Sequence, residues 1–138
     1  MRIFLDANIL FSAAKSDGAI RQLIDILLAG GHECWIDDYV LVEARRNLQG
    51  KFPAGVPALE ALVPRLHTGR AASPTAAVDV LSWLPEKDRP VLHSAIRLGC
   101  DALVTGDQRH FGSGYGKMFS GVTIHSARSL AEAILSAG

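Results

Sequence analysis

Residues 101–111 read DALVTGDQRHF. Asp101 to Thr105 is a short, largely apolar strand candidate, and the turn at Gly106 delivers Asp107 just beyond its end. The opening of the chain, MRIFLDANIL over residues 1–10, has the same design: a strand candidate from Arg2 to Leu5 with Asp6 directly behind it. Runs that are apolar throughout, rather than alternating, suit a parallel sheet covered on both faces. Neighbouring parallel strands end at the same edge, so both carboxylates are expected there. Glu33 to Ile36, Val78 to Trp83 and Val122 to Ile124 are further strand candidates.

Helical patterns lie between these runs. Ile20, Leu23, Ile24, Leu27 and Leu28 follow the three-four spacing, and Gly30 with Gly31 supplies a stop. Asp38 is expected to cap a second helix, in which Val40, Ala44 and Leu48 make a narrow apolar stripe with Glu43 on its edge. A third carries Val91, Leu92, Ala95 and Ile96 on one face and ends at Gly99. Pro90 fits only a first turn, so this helix should begin at about Asp88. Ser126 to Leu135 closes the chain as a terminal helix, while KFPAGVPAL, followed by GRAASPTAA, reads as the loosest region. The alternation predicts a three-layer α/β/α sandwich around a mainly parallel sheet. Such sheets bind ligands beyond the carboxyl ends of their strands.

The 138 residues, 49% of them apolar, are enough for one domain spanning residues 1–138. Fourteen basic residues balance fourteen acidic ones, which excludes a globally basic nucleic-acid binder; any such contact has to be local. Cys34 and Cys100 sit in apolar runs without metal-ligand spacing and are expected as buried free thiols. The first ten residues fit neither a signal-peptide core nor a membrane span, so a cytoplasmic protein is expected.

Four acids carry the functional argument: Asp6 and Asp107 behind strands, Asp88 at a helix mouth, and Glu43 beside a buried stripe. Each alone has a plain structural explanation, as a helix cap, a turn residue or a solvated helix position. Together they are expected at one sheet edge, where like charges raise one another's pKa and resist desolvation. A divalent cation relieves that conflict. Oxygen donors without paired His or Cys select a hard ion such as Mg²⁺ or Mn²⁺. An ion so held orients water and neutralises phosphate, which makes phosphodiester hydrolysis the natural chemistry.

FLDANIL, the VE of VLVEARRNL, KDRPVLHSAI and VTGDQRHF, in that order, resemble the signature of the PIN domain, the metal-dependent nuclease module of VapBC-type toxins. The resemblance runs from Arg2 to about Ile124. It implies an acidic site of Asp6, Glu43, Asp88 and Asp107 binding Mg²⁺ or Mn²⁺, with Asn8 and Thr105 as polar supports. It also implies an RNA substrate, an antitoxin partner and a homodimer. Many relatives carry a further acid where this chain has Arg109, so one tight ion is expected, with a second recruited only alongside substrate. Arg89 and Arg109, adjoining two of the acids, are the foremost candidates for phosphate contact. His110 reads as a surface histidine, and Phe111, Trp35 and Trp83 read as core. Two alternatives stand beside this reading: a catalytically silent PIN-like module that binds RNA or protein, and an α/β phosphatase with Asp6 as nucleophile. The phosphatase scheme usually wants a second Asp at the place of Asn8.

Overall fold

The computed structural model describes residues 1–71 and 80–137. Among the described residues, six strands form one sheet in the order β3-β2-β1-β4-β6-β5. These are β1 (Arg2–Leu5), β2 (Glu33–Asp37), β3 (His67–Gly69), β4 (Ala102–Val104), β5 (Met118–Phe119) and β6 (Val122–His125). Every neighbouring pair is parallel except β5 with β6. Helices α1 (Ala7–Lys15), α2 (Ala19–Ala29), α3 (Asp38–Lys51), α4 (Val56–Leu62), α5 (Arg89–Arg97), α6 (Gln108–Phe111) and α7 (Ala127–Ala137) flank it. The result is the expected α/β/α sandwich, with α1 packed against α2, α3 and α4, α5 against β4, and α7 against β6.

The centre of the sheet is apolar for the reason its sequence implies. Ile3, Phe4 and Leu5 of β1 and the three residues of β4 are buried, because parallel strands here are covered on both faces. Leu10, Leu48 and Leu92 bring the inward faces of α1, α3 and α5 to the same core. Cys34 and Cys100 are buried and free, and burial pushes the Cys34 thiol up to about 11.

Topology then decides where a ligand could sit. From β1 the chain steps outward through β2 to β3, and α5 then carries it back across to β4, on the other side of β1. The strand order therefore reverses between β1 and β4. Beyond the carboxyl ends of two such strands the covering helices diverge and leave a crevice.

Several expectations are corrected. The strand candidate Val78 to Trp83 is not a strand in its described part: Val80 to Trp83 form turns, while Val78 and Asp79 lie outside the described residues. Its apolar residues pack as a loop instead. Leu81 and Leu84 are buried, and the Trp83 ring stacks on Phe119 at 4.8 Å and meets Phe111 edge-on at 6.2 Å. Gly114 permits this, since a Cβ there would lie 2.5 Å from the Trp83 ring. Of the stretch read as loosest, KFPAGVPAL is largely helical, with Pro53–Gly55 a 3₁₀ turn and α4 following, whereas residues 72–77 of GRAASPTAA lie outside the described residues. Pro53 and Pro57 occupy first-turn positions, where a missing N–H costs nothing. The helix after β2 is capped by Asp37, whose Oδ1 accepts from Val40 N at 3.0 Å, and Asp38 is its first residue. Strands β3 and β5 carry no apolar run of their own and exist by pairing with β2 and β6.

Candidate functional site

The site is built on the ends of β1 and β4. Asp6 follows β1 directly, and its backbone N–H donates to Val104 O at 3.1 Å, locking the two strand ends together. Asp6 is 5% exposed, and both of its carboxylate oxygens accept hydrogen bonds. Oδ1 accepts from Ala7 N at 2.7 Å, capping α1, while Oδ2 accepts from Thr105 Oγ1 at 2.8 Å and Asn8 Nδ2 at 3.3 Å. Asn8 Oδ1 in turn accepts from Gly106 N at 2.7 Å. A Cβ on Gly106 would lie 3.3 Å from that same oxygen, so glycine suits this close crossing. Thr105 Oγ1 accepts from Asp107 N at 3.1 Å, and the Tyr115 hydroxyl donates to Thr105 O at 2.8 Å. One threonine hydroxyl thus contacts both Asp6 and the backbone of Asp107, and Asn8 and Thr105 both bond to the Asp6 carboxylate.

Asp107 caps the single turn of α6, its Oδ1 accepting from His110 N at 3.2 Å. The ring of His110 folds back over that cap. Its Nδ1 lies 2.8 Å from Asp107 Oδ2 and 3.1 Å from Asp88 Oδ2. The three residues are only 14–26% exposed at their side chains, and their ligand atoms fall within 4.8 Å of one another.

Asp88 ends the 3₁₀ turn Glu86–Asp88 and occupies the cap position of α5, yet its side chain makes no cap bond. Pro90 occupies the first turn of that helix, so one of the N–H groups a cap would satisfy is missing. The carboxylate turns to the crevice instead, where Oδ2 is buried and accepts no hydrogen bond from the described residues. Glu43 reaches the same region from α3 and lines a cavity of about 340 Å³ with Asp38, Tyr39, Val42, Arg46 and Ala71.

The electrostatics tie these groups together. Burial pushes the Asp6 carboxyl up to about 6, against the hydrogen bonds from Thr105 and Ala7 that pull it down, and with Glu43 and Asp88 adding to the rise. Burial likewise raises Asp88, with Asp107 adding and His110 and Lys87 opposing. Two tyrosines register the same field. Tyr39 is raised by burial and then by Glu43, Asp88 and Asp6; Tyr115 by burial and then by Asp107 and Asp6. Among the described residues, Asp88, Asp107 and His110 come within ligand distance of one another, whereas Asp6 and Glu43 stand outside that group and meet it through their charge.

The two arginines differ. Arg109 is exposed, whereas Arg89 is half-buried and its Nε donates to Leu84 O at 3.0 Å, bracing the loop before α5. Arg45 and Arg65 are held by Glu60 and Asp25. Sequence reasoning missed three groups. His110 read as a surface histidine, and its spacing of three from Asp107 on α6 was the available signal. Asp37 is fully buried, its Oδ2 accepting from Ser94 Oγ at 2.5 Å, which fastens α3 to α5. Tyr39 donates from its hydroxyl to Lys87 O at 2.8 Å, tying α3 to the turn that carries Asp88.

A mainly parallel sheet with acids beyond its strand ends is the layout of a PIN domain. The PIN domain family model matches residues 2–109, and this chain belongs to that family. No curated protein matches it. Among solved structures it is similar to VapBC2 from Rickettsia felis bound to a promoter DNA fragment, with TM-score 0.65, 14% identity, and 91% of this chain and 98% of that one covered. DNA-bound VapBC from Salmonella typhimurium gives TM-score 0.65 at 16% identity, covering 92% of this chain and 98% of that one. VapC20 from Mycobacterium tuberculosis, a Sarcin-Ricin loop cleaving toxin, gives TM-score 0.57 at 12% identity, covering 84% and 98%.

Proposed function

We propose that this protein is a divalent-metal-dependent endoribonuclease, a VapC-like toxin in a single domain over residues 1–138. The observation that carries the reading is the cluster of Asp88, Asp107 and His110 beyond the strand ends, beside the buried Asp6, whose carboxyl is raised by burial and further by the charges of Glu43 and Asp88. The residues suit a cation: Asp88 has a buried carboxylate oxygen without a hydrogen bond, and Asp6 is raised by burial among like charges. Asp6, Glu43, Asp88 and Asp107 would hold Mg²⁺ or Mn²⁺, one ion tightly. Bound there, such an ion supplies a lowered pKa for water and neutralisation of phosphate charge.

The chain's own groups do the rest. Thr105 and Asn8 fix the Asp6 carboxylate so that it need not reorganise during the reaction. The exposed guanidinium of Arg109 is placed to contact the RNA backbone, while Arg89 holds the loop that presents Asp88. In hydrolysis the water oxygen bonds to phosphorus, the P–O ester bond breaks, and the leaving oxygen takes up a proton.

The likeness to VapBC complexes supports a small antitoxin protein as partner. A homodimer belongs to the same reading and is measured by light scattering. Among the described residues no helix is long and apolar enough to cross a membrane. The test is cleavage of RNA with Mg²⁺ or Mn²⁺, expected to vanish in excess EDTA and in Asp6→Asn. Undiminished cleavage in either case would overturn the metal mechanism. Saturable Mn²⁺ binding without any cleavage would favour the silent PIN-like module.

A further inference from the structure

Oxygen-only ligation was the sequence argument for a hard ion, and His110 changes the donor set. Asp107 Oδ1 is committed to the cap of α6, which leaves Oδ2 facing the ring 2.8 Å from Nδ1. Across the crevice, Asp88 Oδ2 lies 3.1 Å from the same nitrogen, buried and without a hydrogen bond. In an octahedral shell with bonds of roughly 2.0–2.2 Å, adjacent donor atoms stand about 3 Å apart. Both separations fit that edge length. The hydrogen bond from the His110 backbone and the short α6 helix hold the imidazole in place before any ion arrives.

We infer that His110 Nδ1 is a direct ligand of the divalent cation, completing with Asp88 and Asp107 a mixed nitrogen and oxygen site that prefers a first-row transition ion over Mg²⁺. The inference rests on the metal-dependent reading above and deepens it. Imidazole suits transition ions, whereas Mg²⁺ demands oxygen and retains its waters. The acids alone would not discriminate strongly between Mg²⁺ and Mn²⁺; a nitrogen donor in the shell does.

Mn²⁺ is the probe, because its unpaired spins report a coordinated nitrogen directly. Metal-free protein loaded with Mn²⁺ is expected to show the ¹⁴N coupling of a bound imidazole by pulsed electron paramagnetic resonance, absent in His110→Ala. Calorimetric titration with each ion should give a Mn²⁺ over Mg²⁺ preference that falls roughly tenfold or more in that variant, a loss in the range for removing a group that holds a metal site. His110→Gln retains an N–H donor for the two carboxylates but replaces the imidazole. It should lose the nitrogen coupling and the preference as His110→Ala does. Bound Mn²⁺ with oxygen couplings only, or a preference intact in His110→Gln, would overturn the inference while leaving the nuclease reading standing. No Mn²⁺ binding to the wild-type protein would overturn both.

Discussion

The site has two halves that are held in different ways. On the strand-end half, Asp6 and Asp107 are strapped by hydrogen bonds to Thr105, Asn8, Ala7 and His110. On the helix-borne half, Asp88 makes no cap bond and Glu43 stands on an exposed-edge position of α3, so their placement depends on how α3 and α5 pack. The first half is rigid through local polar contacts, the second through the core beneath it and the Asp37–Ser94 and Tyr39–Lys87 links. Substitutions in the two halves should therefore fail differently.

The largest expected effect is on catalysis. Asp6→Asn and Asp107→Asn should each lower RNA cleavage by at least ~100-fold, read as single-turnover rates, because both halves act on one ion. Cleavage at the wild-type rate in both variants would dissolve the contrast by removing the strand-end half from the chemistry. Next comes the core under the helix-borne half. Leu92→Ala is expected to cost ~2–5 kcal/mol through a cavity in α5's buried face, with Mn²⁺ affinity in the folded protein little changed.

The pH dependence of the metal-free protein separates the halves again. Burial raises the Asp6 carboxyl from its ordinary 3.8 to about 6 in the folded protein. At pH 8 it is ionised in both states and burial opposes folding. As pH falls through 6 toward 4, only the folded state binds the proton, so Asp6's contribution to stability rises. The full swing is about 3 kcal/mol. Melting temperature between pH 8 and 5.5 should rise more in the wild type than in Asp6→Asn, and an equal pH response in both would exclude Asp6 as its source.

Smaller effects on stability complete the contrast. Thr105→Val removes a hydroxyl that donates to Asp6 and accepts from Asp107 N, and should destabilise by ~1–3 kcal/mol while weakening Mn²⁺ binding ~10–100-fold. Asp88→Ala should abolish cleavage yet leave the metal-free fold intact or slightly more stable, since it removes a buried carboxylate oxygen that accepts no hydrogen bond and relieves its repulsion with Asp107. A fall of several degrees in its melting temperature would show that Asp88 braces the fold after all.

Legibility followed the same division. The strands β1 and β4 were visible because central parallel strands must be apolar on both faces, and the acids behind them could be placed by topology alone. Strand β3, with exposed His67 and Thr68, has no such signature: it is set by its register with Trp35 and Ile36 and by His67 stacking on Trp35 at 4.9 Å. The apolar run ending at Trp83 misled in the opposite sense, since its residues are buried by aromatic packing rather than by a ladder. Prolines in the segment before α4 resembled loop punctuation but sit where a helix tolerates them.

By itself the sequence determined the layered architecture with β1 and β4 at its centre, and it nominated Asp6, Glu43, Asp88 and Asp107 with Asn8 and Thr105 as the candidate site, because periodicity and chain order suffice for those. Only the tertiary structure decided which oxygens are already satisfied and which are left open. It also turned His110 from a surface residue into a neighbour of both Asp107 and Asp88, and made Asp37 the buried tie between α3 and α5. The reason is distance: a hydrogen bond or a metal ligand is settled at about 3 Å, and residues far apart in the chain reach that range only through the packing of the elements that carry them.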